Sequence, residues 1–225
     1  MCRNLALVLG DQLDQSSAVF DGFDTDQDVI WMAEVAEEST HVWTHKARIV
    51  LFLSAMRHFR DHLINDGFTV DYQEISEKKK PQEPMSLAAA LKASLSRFKK
   101  KGSKPERLIC VEPGEWRVRA ALEEAAKNAG IPLEVRPDRH FFTTVDDFSE
   151  HAAGRKQLRL EFFYRPLRER FNVLMDDGEP VGGQWNYDAE NRGSFGKSGP
   201  EKLRPPKRFK PDALTRTVID LVSKR

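Results

Sequence analysis

Short apolar runs alternate with longer amphipathic stretches over the first two thirds of the chain. A run of four or five apolar residues that polar residues or glycine bound is typical of a buried parallel strand. These runs, and one segment of alternating residues, predict five strands. They cover Leu5–Leu9, Val29–Ala33, Thr69–Gln73, Leu108–Val111 and Leu133–Arg136.

Helical patterns separate the predicted strands. The clearest helix covers about Thr44–Asn65, where apolar residues recur at spacings of three and four. A second helix covers Ser86–Phe98, behind a Lys- and Pro-rich loop over Ser76–Pro84, and a third ends near Asn128. Strands that alternate with helices form βαβ units with right-handed crossovers. We therefore predict a doubly wound, Rossmann-like α/β fold with about five parallel strands.

The pattern changes after Asp138. Helices are predicted over Asp147–Ala153 and Leu158–Met175, and a last helix runs from Asp212 to about Ser223. Residues 177–211 contain too few apolar side chains for a core of their own. We therefore expect an α/β domain over 1–138, a helical extension over 139–176 and a linker over 177–225.

Polar residues gather behind the first two predicted strands. Gly10 and Asp11 follow strand one, and the stretch that begins at Glu34 and includes Glu38 follows strand two. Ligands of open α/β sheets bind beyond the carboxyl ends of the strands. The residues at these two strand ends therefore predict a site for a polar ring system.

Each candidate residue also has a purely structural interpretation. Asp11 can bind the ligand or cap a turn after strand one. His45 and Lys46 open the long helix, where cations oppose the helix dipole, so they either face the ligand or are simply solvated. Ile49, one turn into that helix, belongs either to the apolar wall of the site or to the core.

Composition narrows the class of protein. The 225 residues are 40% hydrophobic and 32% charged, which is typical of a soluble globular protein. The sequence has neither a run of about 20 apolar residues nor a signal-peptide pattern, so we expect a cytoplasmic protein without a membrane partner. Cys2 and Cys110 are too few for a disulfide framework or a cysteine-bound cluster. We expect no metal ligands and no catalytic residues in this chain.

Charge is distributed unevenly. Residues 1–154 carry 20 Lys and Arg against 25 Asp and Glu, whereas residues 155–225 carry 16 against 10. The basic segment is either a solvated surface or a region that lies against a polyanion or an acidic partner domain.

Several motifs together resemble the N-terminal domain of the bacterial iron–sulfur photolyase and cryptochrome family, and its (6-4) photolyases most closely. They are GDQL at Gly10–Leu13, the stretch Glu34–Lys46, SAMRHF at Ser54–Phe59, EPGEWRVR at Glu112–Arg119, AAGRK at Ala152–Lys156, FFYR at Phe162–Arg165 and the block Pro180–Arg192. Their common order along nearly the whole chain makes the resemblance specific.

The resemblance implies an antenna domain that binds dimethyl-ribityllumazine at Gly10, Asp11, Glu34, Glu38, His45, Lys46 and Ile49. Among the acids after strand two, it favours Glu38 over Glu34 and Glu37. In that family a C-terminal helical domain binds FAD, a [4Fe–4S] cluster and the damaged DNA. Because this sequence lacks that half, we expect a light-harvesting role without catalysis, with the FAD-binding domain as the partner and DNA reached only through it. The alternatives are a standalone interaction or nucleotide-binding module that has lost the pigment, and a truncated fragment.

Overall fold

The computed structural model describes residues 2–76, 85–197, 199–200 and 203–224. From residue 77 onward, the loop predicted over Ser76–Pro84 lies outside these residues. The chain forms two compact units: residues 1–140 with 210–225, and residues 141–209. The predicted assignment of residues 139–225 to a helical extension and a linker stays a prediction.

A five-stranded sheet forms the centre of the first unit. The strands are β1 (Asn4–Leu7), β2 (Val29–Ala33), β3 (Val70–Gln73), β4 (Arg107–Val111) and β5 (Leu133–Arg136). All neighbouring strands are parallel, and their order is β3-β2-β1-β4-β5. The doubly wound α/β prediction is confirmed. The strand order reverses between β1 and β4, which is where ligands bind in such sheets.

Three helices cover the two faces of this sheet, and the short helix α1 (Ala36–Thr40), which buries none of its residues, follows β2. The three are α2 (Lys46–Asn65), α3 (Leu87–Lys100) and α4 (Trp116–Ala129). The side chains of alternate strand residues point to opposite faces of the sheet. Leu5 and Trp31 therefore pack with Leu91 of α3, while Ala6 and Ile30 pack with Met56 of α2. Cys110 lies inside this core, and burial raises the pKa of its thiol to about 12.

The C-terminal helix α7 (Ala213–Lys224) belongs to the first unit. Val218, Leu221 and Val222 pack against Leu53 of α2. The backbone N–H of Thr215 donates to the Asp212 carboxylate over 2.7 Å, so Asp212 caps the start of this helix.

The second unit contains helices α5 (Val145–Ala152) and α6 (Leu160–Phe171) and a short hairpin of β6 (Met175–Asp176) and β7 (Glu179–Pro180). The predicted helix over Leu158–Met175 is therefore too long. Asn172 ends α6 in a left-handed conformation with φ of 52°, and the hairpin follows. Among the described residues of this unit, Pro180 alone is buried.

None of the helices within the described ranges is long and apolar enough to cross a membrane.

Candidate functional site

A cavity of about 360 Å³ opens at the carboxyl edge of the sheet, within the first unit. The loops after β1, β2 and β4 form it together with the first turns of α2 and α4, so it lies at the point where the strand order reverses. Its polar lining residues are Asp11, Glu34, Glu38, Ser39, His41, Thr44, Arg48, Glu115 and Arg117. Its apolar and glycine lining consists of Leu9, Gly10, Ala33, Val35, Val42, Trp43, Ile49, Phe52, Met56, Leu87, Pro113, Gly114 and Val118.

Gly10 lets the chain pass close to helix α2. A Cβ atom at this position would lie 2.9 Å from the Met56 sulfur, which is too close unless that side chain moves. The adjacent Gln12 side chain donates to the Glu112 carbonyl over 2.9 Å and so joins the loops after β1 and β4. These two contacts fix where Asp11 enters the cavity.

Asp11 faces the loop after β4. Its Oδ2 atom lies 3.9 Å from the position that a Cβ atom on Gly114 would take. Protein atoms remove part of its hydration and raise the pKa of its carboxyl group, and the negative charges of Glu115 and Asp138 add to this shift. The hydrogen bonds among the described residues do not engage this carboxylate with a neighbouring side chain. Its oxygens are therefore available to a ligand.

Glu34 lies at the end of β2 and is fully buried. It forms the buried cluster, which we define as Glu34, Arg57 and Tyr72. Arg57 donates to both Glu34 oxygens over 2.7 and 2.8 Å, and the Tyr72 hydroxyl donates over 2.6 Å. The backbone N–H of Ile75 adds a fourth bond of 3.0 Å. This carboxylate is saturated by protein donors, so it supports the cavity wall.

The rim cluster, which we define as Glu38, Glu115 and Arg117, lies across the cavity from α2. Arg117 donates to Glu38 over 3.0 Å and to Glu115 over 3.1 Å. All three side chains are between 31% and 59% exposed. The Arg117 Nε atom is buried and, within the described part of the chain, has no hydrogen-bond partner. The cluster joins α1 to the start of α4 and keeps an acidic surplus at the rim.

Of the three candidates at the start of helix α2, one lines the cavity. Ile49 lines the cavity, but His45 and Lys46 are not among its lining residues. His45 instead caps α2, because its Nδ1 atom accepts from the Ala47 N–H over 3.1 Å. The structure thus brings together Gly10, Asp11, Glu34, Glu38 and Ile49 of the seven candidates.

Two parts of the cavity were missed from the sequence. The loop after β4 supplies Pro113, Gly114 and Glu115, and helix α4 supplies Arg117. An apolar rim adds Val42 and a fully exposed Trp43. The first part follows from the strand order, which places β4 directly beside β1, but the apolar runs of the sequence do not show that order. Trp116, at the start of α4, is 80% exposed and belongs neither to the core nor to the cavity lining.

The arrangement suits a small, partly polar molecule. Small-molecule sites commonly range from about 300 to 1,000 Å³, and they combine apolar walls with a few polar groups that fix the ligand's orientation. This cavity offers apolar walls, an available carboxylate at Asp11 and an Arg–Glu rim. It can accept N–H and O–H donors from one ring system and a short polar chain.

The fold and the cavity define a doubly wound α/β protein with a ligand crevice at its switch point. The model of the deoxyribodipyrimidine photo-lyase-related protein family matches residues 6–225, so the chain belongs to that family. This match confirms the resemblance drawn from the sequence motifs.

Two curated relatives differ in how much of them this chain covers. A (6-4) photolyase of Agrobacterium fabrum is 40% identical over 98% of this chain, which spans 41% of that protein. Uncharacterized protein R852 of Acanthamoeba polyphaga mimivirus is 20% identical over 84% of this chain and 94% of its own length. This photolyase-related chain therefore covers only a portion of a (6-4) photolyase.

Proposed function

We propose that this chain is the antenna part of a (6-4) photolyase-like DNA repair protein or cryptochrome and binds dimethyl-ribityllumazine in the cavity. The observation that carries the proposal is the available Asp11 carboxylate in a small, mixed-polarity cavity at the switch point of the sheet. The pigment would supply light absorption and pass its excitation to a flavin elsewhere. The residues of this chain bind and orient it.

The polar and the apolar residues of the cavity have different roles in binding the pigment. Asp11 accepts hydrogen bonds from the heterocycle or the ribityl hydroxyls, while Ile49 and Phe52 pack against the apolar ring. The acids Asp11, Glu38 and Glu115 outnumber the two lining arginines, Arg48 and Arg117, and this acidic surplus disfavours a phosphate group. An uncharged ribityl chain therefore fits the cavity better than the phosphate of FMN or the carboxylates of a folate.

A fluorescence titration of the purified chain tests the proposal. Dimethyl-ribityllumazine, FMN and a folate are run in parallel, and riboflavin is added because it differs from FMN only in the phosphate. We expect saturable binding of the lumazine and weaker binding of FMN than of riboflavin. Absence of lumazine binding, or equal binding of all four ligands, would contradict the proposal.

The surface of the second unit suits a protein partner. Since Pro180 alone is buried among its described residues, this unit exposes many large apolar side chains, including Phe141, Phe142, Leu160 and Phe195. We propose that they pack against an FAD-binding photolyase domain, which in turn contacts the damaged DNA. The expected result is that hydrogen exchange over 141–197 slows when the part of the Agrobacterium photolyase beyond this match is added. Unchanged exchange would count against such a partner.

A standalone binding module is the second candidate function. It is favoured by the mimivirus protein, which this chain matches over 94% of that protein's length. In that case the same cavity would bind a nucleoside or nucleotide without a light-dependent role. Tight binding of adenosine or ATP, combined with failure to bind any pigment, would favour this function over the antenna.

A further inference from the structure

A short basic segment of the chain lies outside both the cavity and the regular secondary structure. Between Glu201 and Asp212 the sequence contains five Lys and Arg residues and no acid. Its described part, residues 203–211, forms neither helix nor strand, and every residue in it is exposed. A run of this kind therefore presents its charge to solvent.

The charges of this segment are not neutralised by acids of the described residues. Arg204, Lys207 and Arg208 form no ion pair with any acid of the described residues. Arg57, Arg117 and Arg119, by contrast, bind carboxylates. Three neighbouring cations without acidic partners attract a polyanion.

The backbone of the segment is preorganised. Pro205 and Pro206 fix φ near −65° and favour an extended, polyproline-like path. Less chain entropy is therefore lost when a ligand binds.

An exposed aromatic ring distinguishes nucleic acid from an acidic protein as the ligand. Phe209 is 78% exposed, and the Lys207 Nζ atom lies 5.2 Å from the centre of its ring. A phenyl ring beside cations is the arrangement with which proteins hold single strands, because bases stack on the ring while the cations neutralise phosphates. An acidic protein surface would use the cations but would not need the exposed ring.

We propose that the basic segment Leu203–Phe209 binds single-stranded nucleic acid. Arg204, Lys207 and Arg208 contact the phosphates, and Phe209 stacks on a base. This site is independent of the pigment cavity, so either proposal can fail without the other.

Fluorescence anisotropy of the whole chain with a labelled oligo(dT) of about 12 nucleotides tests this site. The triple variant Arg204→Gln, Lys207→Gln, Arg208→Gln is expected to weaken binding about tenfold or more and to flatten the salt dependence by about two units of slope. Phe209→Ala is expected to weaken binding about fivefold or more at every salt concentration.

The matched control removes the same charge elsewhere. Lys99→Gln, Lys100→Gln, Lys101→Gln neutralises the exposed end of α3 and should change binding by about twofold or less. Equal losses in both triple variants would show general charge attraction and overturn the site. No binding at low salt, or displacement by polyglutamate together with no effect of Phe209→Ala, would also overturn it.

Discussion

The buried cluster and the rim cluster contain the same kinds of side chain and lie beside the same cavity, yet they are held in different ways. Glu34 receives four hydrogen bonds from protein donors and is fully buried. Glu38 and Glu115 share one arginine and remain partly exposed. The Asp11 carboxylate, which lines the same cavity, has no arginine partner among the described residues. The comparison separates carboxylates that build the cavity from those that can serve a ligand.

The largest expected effect comes from breaking the buried cluster. Glu34→Gln leaves Arg57 without its buried counter-charge, and loss of one partner of a buried pair costs about 3–5 kcal/mol in the free energy of unfolding. Glu74 also contacts Arg57 at 3.2 Å, which places the expected loss at the lower end of that range. Urea denaturation measures it.

Glu74→Gln is the matched control for that variant. Glu74 binds the same arginine but is 48% exposed, so its loss should cost about 0–1 kcal/mol. If the two variants unfolded at the same urea concentration, the buried cluster would not support the cavity wall as we describe.

The second effect concerns ligand binding at Asp11. Asp11→Ala should weaken lumazine binding by about 1–3 kcal/mol, because it removes a hydrogen bond in a partly dehydrated site. Its free energy of unfolding should stay within about 0.5 kcal/mol of the unmodified chain, since the hydrogen bond that is lost is the local one from the Asp11 backbone N–H. A titration of both proteins, with urea denaturation alongside, separates binding from folding.

Asp26→Ala provides the control for this prediction. Asp26 is an exposed carboxylate before β2, at the opposite edge of the sheet, so its removal changes the net charge by the same amount. Equal affinity in the unmodified chain and Asp11→Ala would contradict the assignment of Asp11 as a ligand-binding residue.

Sequence reasoning found the sheet and one edge of the cavity because both depend on local pattern. Asp11 could be predicted because a buried strand and a glycine precede it. The helix α1 could not be predicted, since its five residues are too few to show a helical period. The contribution of Glu115 and Arg117 depends on β4 lying beside β1, and the apolar runs do not encode that strand order.

The roles of Glu34 and Glu38 show the same limit. The two acids lie four residues apart in a polar stretch, and the sequence does not reveal which of them will be neutralised. The answer depends on Arg57, which is 23 residues beyond Glu34 and reaches it only after α2 packs on the sheet. His45 caps α2 through its Nδ1 atom, and its residue type alone does not separate such a cap from a ligand-facing histidine, so its assignment to the ligand site stays a prediction.

A smaller effect is expected at the rim. Glu38→Gln removes an exposed ion pair with Arg117, and such pairs contribute about 0–1 kcal/mol to stability. Because Arg117 keeps Glu115 at 3.1 Å, the expected loss lies near the lower limit. The difference from the unmodified chain should disappear in about 1 M salt, where exposed charges are screened within about 3 Å. A loss that persists at high salt would show that Glu38 is held as firmly as the buried cluster.

The smallest effect is the pH dependence of Asp11. Burial raises the pKa of its carboxyl group in the folded chain, so the folded state binds this proton more tightly than the unfolded state does. The group therefore favours folding at low pH, and this contribution is lost as the pH rises through the unfolded and then the folded pKa.

Asp11→Asn should raise stability slightly at pH 7, by about 0.5 kcal/mol or less because the side chain reaches solvent. The gain should vanish below the ordinary pKa of aspartate, about 3.9. Thermal unfolding of both proteins across this range measures the difference. A loss of stability at pH 7 that disappeared on acidification would mean that Asp11 is held by a cation instead of being available to a ligand.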